Sequence, residues 1–329
     1  MKANIAIIGT GGTIAGRGES SVNTSAYACS VVSVDEILSG IPELASLANL
    51  QAEQLLQMGS ENFATEHLLL LGSRISRLLQ QDHVDGVVVT HGTDTIDETA
   101  YFLHLTLKSM KPVVVVGSMR PPSALSPDGP LNLYNAILVA SSPASRGKGT
   151  LVVSNDEIHT ARDVVKTSTF KLESFRSPYG PLGYVVEGMP RYYREPARSH
   201  TLETPWSIEE IDRLPEVGIV YAHGGIDAGM VDAVTNARMS GIVYAATGNG
   251  NVAEHVVGAL LRARREGLHV VRASRTGSGV VIRNGAQPDD KYDWLVVDDQ
   301  APQKARILLM LALTREARSA ELQRMFHRY

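Results

Sequence analysis

The chain has 329 residues, of which 43% are apolar and 20% charged, and a formal charge of −4. This is the composition of an ordinary globular protein, and its length points to two domains, because one core stops growing at roughly 250–300 residues. There is no Lys/Arg run to attract nucleic acid, and the longest apolar stretches, near 113–116 and 307–313, fall far short of the roughly 18 residues of a membrane span.

The predicted elements begin with 4–16, NIAIIGTGGTIAG, a short apolar run ending in a turn that holds Thr10 and Thr13 among four glycines. Apolar residues followed by glycine read as a buried strand ending in a tight bend that a ligand can approach closely. A phosphate loop is the obvious alternative. The dinucleotide fingerprint needs glycine where Ile14 stands, and the other phosphate loop needs Lys-Ser/Thr where Gly16-Arg17-Gly18 stands. That failure argues against a nucleotide-binding oxidoreductase and leaves the threonines as candidate chemical groups.

Residues 17–30 form a polar loop carrying Tyr27, long enough to be a lid or binding loop. Short helices are expected at 34–38 and 41–47, and a strand at 50–58 that ends just before Ser60 and Glu61. Residues 66–81 carry Leu68, Leu71, Ile75, Leu78 and Leu79 at helical spacing. The β-branched run 85–89 ends in Thr90-His91-Gly92-Thr93-Asp94-Thr95, a third polar cluster at a strand's carboxyl end. A helix over 96–108, a strand at 112–116, the loop 117–122 with Ser118, a helix over 131–140 and a strand at 149–154 follow. Alternation of this kind implies right-handed crossovers and a mostly parallel sheet, with ligands bound beyond the carboxyl ends of the strands. Thr13, Ser60, Thr93 and Asp94 fall on one rim by that rule.

Periodicity weakens between 184 and 215, a charged, proline-bearing stretch read as interdomain. Alternation then resumes: strand 218–221, helix 228–240, strand 241–245, the loop 247–251 with Asn249 and Asn251, helix 253–266, strand 269–273 and closing helices at 302–314 and 317–326. The domains expected are 1–198, a linker 199–215, and 216–329.

Several residues carry two readings. A threonine hydroxyl needs activation to serve as a nucleophile, and the rim offers Asp94, Tyr27 and Lys166 as partners. Asp94 reads equally as the N-cap of the following helix, Lys166 as an ordinary surface lysine, and His91 as a strand-end histidine satisfied by backbone. Asn249 and Asn251 fit turn positions that tolerate left-handed backbone. Cys29 stands alone, which rules out an intrachain disulfide, and it reads as a small buried side chain. Met1-Lys2-Ala3 leads straight into the first strand, the expectation for a cytoplasmic chain or for a periplasmic one already freed of its signal.

Taken together, GTGGTIAG at 9–16, THGTDT at 90–95 and Arg162-Asp163-Val164-Val165-Lys166-Thr167 resemble the bacterial L-asparaginases, including the glutaminase-asparaginase branch. GSMRP at 117–121, DGPLNLYNA at 128–136, YGPLGY at 179–184, GNGN at 248–251 and PQKAR at 302–306 extend the resemblance over essentially the whole chain. It implies a two-domain α/β fold, with a larger N-terminal domain around a mostly parallel sheet and a smaller C-terminal α/β domain. It also implies deamidation of L-asparagine, with L-glutamine as a candidate second substrate, and no metal or cofactor. Thr13 would attack the side-chain amide to form an acyl-enzyme, assisted by Tyr27. Thr93, Asp94 and Lys166 would form a second catalytic cluster. Ser60, Glu61 and Asp94 would hold the α-carboxylate and α-amino groups, Ser118 would line the amide pocket, and Asn251 would contribute to substrate binding. The family's assembly implies a homotetramer of intimate dimers with sites completed across subunits.

Glu61 and QPDDKYDW at 287–294 resemble the glutaminase-asparaginase branch, while Asn251 resembles the asparaginase side, so the resemblance leaves the preferred amide open. The family's glutamate just before the segment beginning Gln287 is Ala286 here. That departure keeps two rivals open: an amidohydrolase for another amide, such as D-asparagine or a peptide amide, and a non-catalytic amino-acid binder.

Overall fold

The computed structural model describes residues 2–329, which divide into two compact units, one up to Asp212 and one from Arg213 to Tyr329. The first unit is built on eight strands: β1 (Asn4–Gly11), β2 (Asn49–Met58), β3 (Gly86–Thr90), β4 (Val113–Val116), β5 (Thr150–Ser154), β6 (Glu157–Thr160), β7 (Gly183–Val186) and β8 (Met189–Tyr192). Their order in the sheet is β8-β7-β6-β5-β4-β3-β1-β2. The five strands from β2 to β5 run parallel, whereas β6, β7 and β8 are added antiparallel at one side.

The central parallel strands β3, β4 and β5 are buried on both faces, as apolar runs without alternation require, whereas the edge strand β2 is only partly buried. Every residue of β3, β4 and β5 is buried, and each valine so enclosed contributes roughly 1.5–3 kcal/mol relative to exposure. One face packs against α1 (Val34–Ser39) and α4 (Gly129–Ser141), where Val88, Val114 and Val116 share a core with Leu133 and Ile137. The intervening valines 87, 89, 113 and 115 lie beneath α2 (Thr65–Leu79) and α3 (Ile96–Thr106), which pack on β3, β4 and β5.

This layering sends each parallel strand toward the same edge. Thr13 follows β1, Ser60 follows β2, Thr93 follows β3 and Ser118 follows β4, and all four are buried. The expected mostly parallel sheet is therefore the one found, and its carboxyl rim carries the polar clusters.

The stretch from 184 onward is more structured than its charge suggests. Residues 183–192 form the hairpin β7–β8, turned by Glu187 and Gly188 with positive φ. The segment 199–212 packs within the first unit: Trp206 is fully buried, and Lys108 Nζ donates to the carbonyls of Thr201 and Thr204 at 2.7 and 2.5 Å.

The second unit holds four parallel strands, β9 (Val217–Tyr221), β10 (Gly241–Ala246), β11 (His269–Ser274) and β12 (Leu295–Val296), adjacent in that order. Helices α5 (Gly229–Asn236) and α6 (Glu254–Arg265) bury Val231, Val256 and Leu260 against Val220, Ile242 and Tyr244. Two further helices, α7 (Pro302–Ala312) and α8 (Ser319–Arg328), close the chain. On β11, the fully buried Arg272 meets the equally buried Asp289 in a two-point pair, with Nε to Oδ1 and Nη2 to Oδ2 both at 2.6 Å. Arg272 Nη1 also donates to Gly250 O at 2.5 Å, so this pair ties the 248–251 loop to the 282–289 segment. Among the described residues, no helix is long and apolar enough to cross a membrane.

Candidate active site

Beyond β1 the chain turns through Gly11 and Gly12, with φ of 106° and 84°, a region of backbone space that side-chain-bearing residues seldom enter. The turn also leaves no room for a side chain, since a Cβ on Gly12 would stand 2.4 Å from Gly92 Cα. The threonine loop after β1 and the threonine loop after β3 are therefore in backbone contact. Ser30 fastens the turn, its Oγ accepting from Gly12 N at 2.7 Å and its own N–H donating to Gly12 O.

The short helical turn Thr13–Ala15 then presents Thr13, whose Oγ1 lies 2.6 Å from Tyr27 Oη. Tyr27 comes from a two-residue strand, Tyr27–Ala28, paired with Arg17–Gly18, so the polar loop between is a hairpin folded back over the turn. Burial pushes the Tyr27 phenol up, the Thr13 hydrogen bond pulls it down, and the negative side chains Asp94 and Glu61 add to the upward shift. The net direction is upward, so Tyr27 is a neutral hydroxyl at physiological pH rather than a phenolate.

Opposite stands the second cluster. Lys166 Nζ donates to Thr93 Oγ1 at 2.8 Å and to Asp94 Oδ1 at 2.6 Å. Only 18% of the Lys166 side chain is exposed, which corrects its reading as an ordinary surface lysine. The capping reading of Asp94 also fails: α3 begins after Thr95, and the Asp94 carboxylate is taken by Lys166.

Ser60 Oγ accepts weakly from Thr95 N at 3.3 Å, which leaves its own proton available to a ligand. Glu61 is exposed, with Oε1 accepting from Asn62 Nδ2 at 3.0 Å. Together Thr13, Tyr27, Ser60, Glu61, Thr93, Asp94 and Lys166 line one cleft of about 340 Å³. Ser118 is buried one residue behind Met119, which lines the same cleft. Asn251 belongs to the second unit, where it closes the GNGN turn by a hydrogen bond from its N–H to Thr247 O. The left-handed positions of that turn are taken by Gly248 and Gly250, so neither asparagine holds the backbone role their flanking glycines suggested.

His91 is fully buried, its Nδ1 donating to Gly92 O at 2.7 Å and its ring packed on Phe63. Burial pushes it down to about 4 against the opposing backbone hydrogen bond, so it stays neutral; the backbone satisfies its Nδ1, while the buried Nε2 has no hydrogen-bond partner. Cys29 departs from expectation: it is exposed and lines the cleft, because it follows Tyr27 on the folded-back hairpin rather than entering a core.

The asparaginase N-terminal family model matches residues 4–198, and the glutaminase/asparaginase C-terminal domain model matches residues 216–326. The chain belongs to the asparaginase family. It is 50% identical over 328 residues to the glutaminase-asparaginase of Pseudomonas fluorescens biotype A, covering 99% of this chain and 91% of that protein. It is 43% identical over 327 residues to L-asparaginase 2 of Escherichia coli strain K12, covering 99% and 93%. A crystal structure of a probable cytoplasmic L-asparaginase from Campylobacter jejuni superposes with a TM-score of 0.96 at 40% identity, covering 100% of both chains.

Within this asparaginase fold, sequence reasoning passed over three contributors. Ser30 anchors the glycine turn, and Met119 and Thr169 line the cleft. Ser30 has no sequence signal, since its positive φ of 58° is unusual for serine. Met119 and Thr169 reach the cleft only through tertiary folding.

The position of Tyr27 predicts a titration result. Its phenol should ionise above the ordinary tyrosine value of about 10, so catalysis that needs the protonated hydroxyl keeps it as pH rises to that value and loses it only beyond. Ultraviolet pH titration of the protein against Tyr27→Phe isolates the step. A Tyr27 ionisation at or below the ordinary value would contradict the neutral-hydroxyl reading.

Proposed function

We propose that this protein hydrolyses the side-chain amide of L-asparagine, and also of L-glutamine, to the acid and ammonia. The observation that carries the reading is the pairing of two activated threonines across one small cleft: Thr13 with Tyr27 on one wall, Thr93 with Lys166 and Asp94 on the other. Relatives named as glutaminase-asparaginase and L-asparaginase support the substrate class.

The chemistry follows from the groups present. Thr13 Oγ1 attacks the carboxamide carbon; the C–N bond breaks, and the hydroxyl proton leaves with ammonia by way of Tyr27. Water then attacks the acyl-enzyme, releasing the acid and returning a proton to Thr13. Lys166, held between Thr93 and Asp94, polarises the second threonine for these proton movements. The substrate is a zwitterion, and it needs donors for its carboxylate and acceptors for its ammonium. Ser60 supplies a hydroxyl proton, Asp94 and Glu61 supply carboxylates, and Ser118 completes the binding set.

In our reading, residues 1–198 form the catalytic domain and 216–329 the second domain, with 199–215 between them, of which 199–212 packs on the first unit. The enzyme works as a homotetramer of intimate dimers, and its compartment is the cytoplasm, or the periplasm if a leader precedes this sequence. Ala286 bears on the assembly, since the family's glutamate there reaches a neighbouring subunit's site. Ala286 is exposed, and the neighbouring Gln287 donates its side-chain N–H to Val252 O at 3.3 Å within its own unit.

Ammonia release from L-asparagine, L-glutamine, D-asparagine and simple amides tests the reading. Turnover of the first two that Thr13→Ala abolishes is expected. Inactivity on all four would sink it, and tight aspartate binding without turnover would favour a non-catalytic binder instead. Ala286→Glu is expected to raise kcat/KM for L-asparagine about tenfold, the effect of one restored charge-assisted contact to the ammonium. An unchanged value would mean that another group already fills that place.

A further inference from the structure

The loop behind the cleft, residues 117–120, is held in an unusual way. Asp128 occupies the N-cap position of α4, where an aspartate ordinarily turns its oxygens onto the unpaired N–H groups of its own helix. It makes no such bond. Oδ2 accepts instead from Met119 N at 2.9 Å, and Oδ1 from Arg120 N at 2.9 Å. One turn along α4, Asn132 Nδ2 bridges Asp128 Oδ2 at 3.0 Å and Gly117 O at 3.1 Å, and Asn132 Oδ1 is itself fixed by Asn155 N at 2.9 Å. The start of α4 lies directly against this loop, where a Cβ on Gly129 would stand 3.3 Å from Ser118 Cβ.

A planar trans peptide directs its N–H and C=O to opposite sides. The Met119 N–H is committed to Asp128, so the carbonyl of the same peptide, which belongs to Ser118, is turned away from Asp128, and the next residue, Met119, lines the cleft. A carbonyl held there accepts N–H and has nothing to offer a group without one. An unmatched buried acceptor costs roughly 1–3 kcal/mol, so its aim decides which carbonyl derivatives the site favours.

We propose that Asp128 is the positioning residue for amide selection: by clamping the Ser118–Met119 peptide it aims the Ser118 carbonyl at the substrate's NH2, and so favours amides over esters. This rests on the amidohydrolase reading above. The forgone helix cap is the local cost of that arrangement.

The test compares kcat/KM for L-asparagine with that for L-aspartic acid β-methyl ester, whose leaving oxygen carries no hydrogen. For Asp128→Ala the amide-to-ester ratio should fall about tenfold, the loss of one well-aimed hydrogen bond, with Asp128→Asn also lowered because its NH2 faces a backbone N–H. Equal losses on both substrates, or an unmoved ratio, would make Asp128 merely structural and overturn the proposal. Should Asp128→Ala fail to fold, Asp128→Asn carries the measurement. A crystal structure of the folded variant adds a readout independent of activity: the Ser118–Met119 peptide should turn, and finding it in place would overturn the proposal. Wild-type protein inactive on both substrates would be a failure of the amidohydrolase reading, visible before any variant is compared, and the peptide orientation would then still decide the role of Asp128.

Discussion

The site depends first on the contact between two backbones, Gly12 against Gly92. Without it the loops after β1 and β3 would be separate strand ends on a rim, each carrying a threonine with nothing to act on. With it, Thr13 and Thr93 face one cleft of about 340 Å³. The contact admits no side chain at Gly12, where a Cβ would stand 2.4 Å from Gly92 Cα, and it needs adjacent β1 and β3 in parallel register, Ile8 beside Val89 and Gly9 beside Thr90. Thr10, buried on the strand side, ties the two ends further by donating to Thr90 O at 2.8 Å. The sheet order is in this sense a requirement of the chemistry.

Electrostatics then divides the labour between the walls. Burial and nearby negative side chains push the Tyr27 phenol up, so it meets Thr13 Oγ1 as a neutral hydroxyl. On the facing wall, Lys166 Nζ donates to both Thr93 and Asp94 and so holds the second threonine beside a carboxylate. His91, although central, is kept out of this network by a fully buried ring pushed down to about 4. A cleft with two acidic side chains, one cation and several hydroxyls matches a small zwitterion better than it matches an apolar or polyanionic ligand.

Much of this could be read from the residues in order, because parallel strands buried on both faces announce themselves as apolar runs, and glycines and hydroxyls mark their carboxyl ends. What could not be read depends on distance along the chain or on a residue behaving against type. Lys166 meets Thr93 from 73 positions away, and nothing local distinguishes it from a solvated lysine. Asp128 precedes a glycine and a helix, the pattern of a cap, yet serves a loop eight and nine residues back. The β7–β8 hairpin was hidden because it is half exposed and carries Pro190 and charged residues, so it shows no apolar run. Cys29 was misread because a lone cysteine is usually buried, whereas this one sits on a hairpin folded over the cleft.

The central claim is that Thr13, rather than the equally well-placed Thr93, forms the covalent bond to substrate. Rapid acid quenching during turnover of L-asparagine, followed by peptide mapping by mass spectrometry, tests this directly. The account predicts an aspartyl adduct on the peptide containing Thr13, absent from Thr13→Ala. An adduct on the peptide containing Thr93, formed equally well in Thr13→Ala, would contradict it.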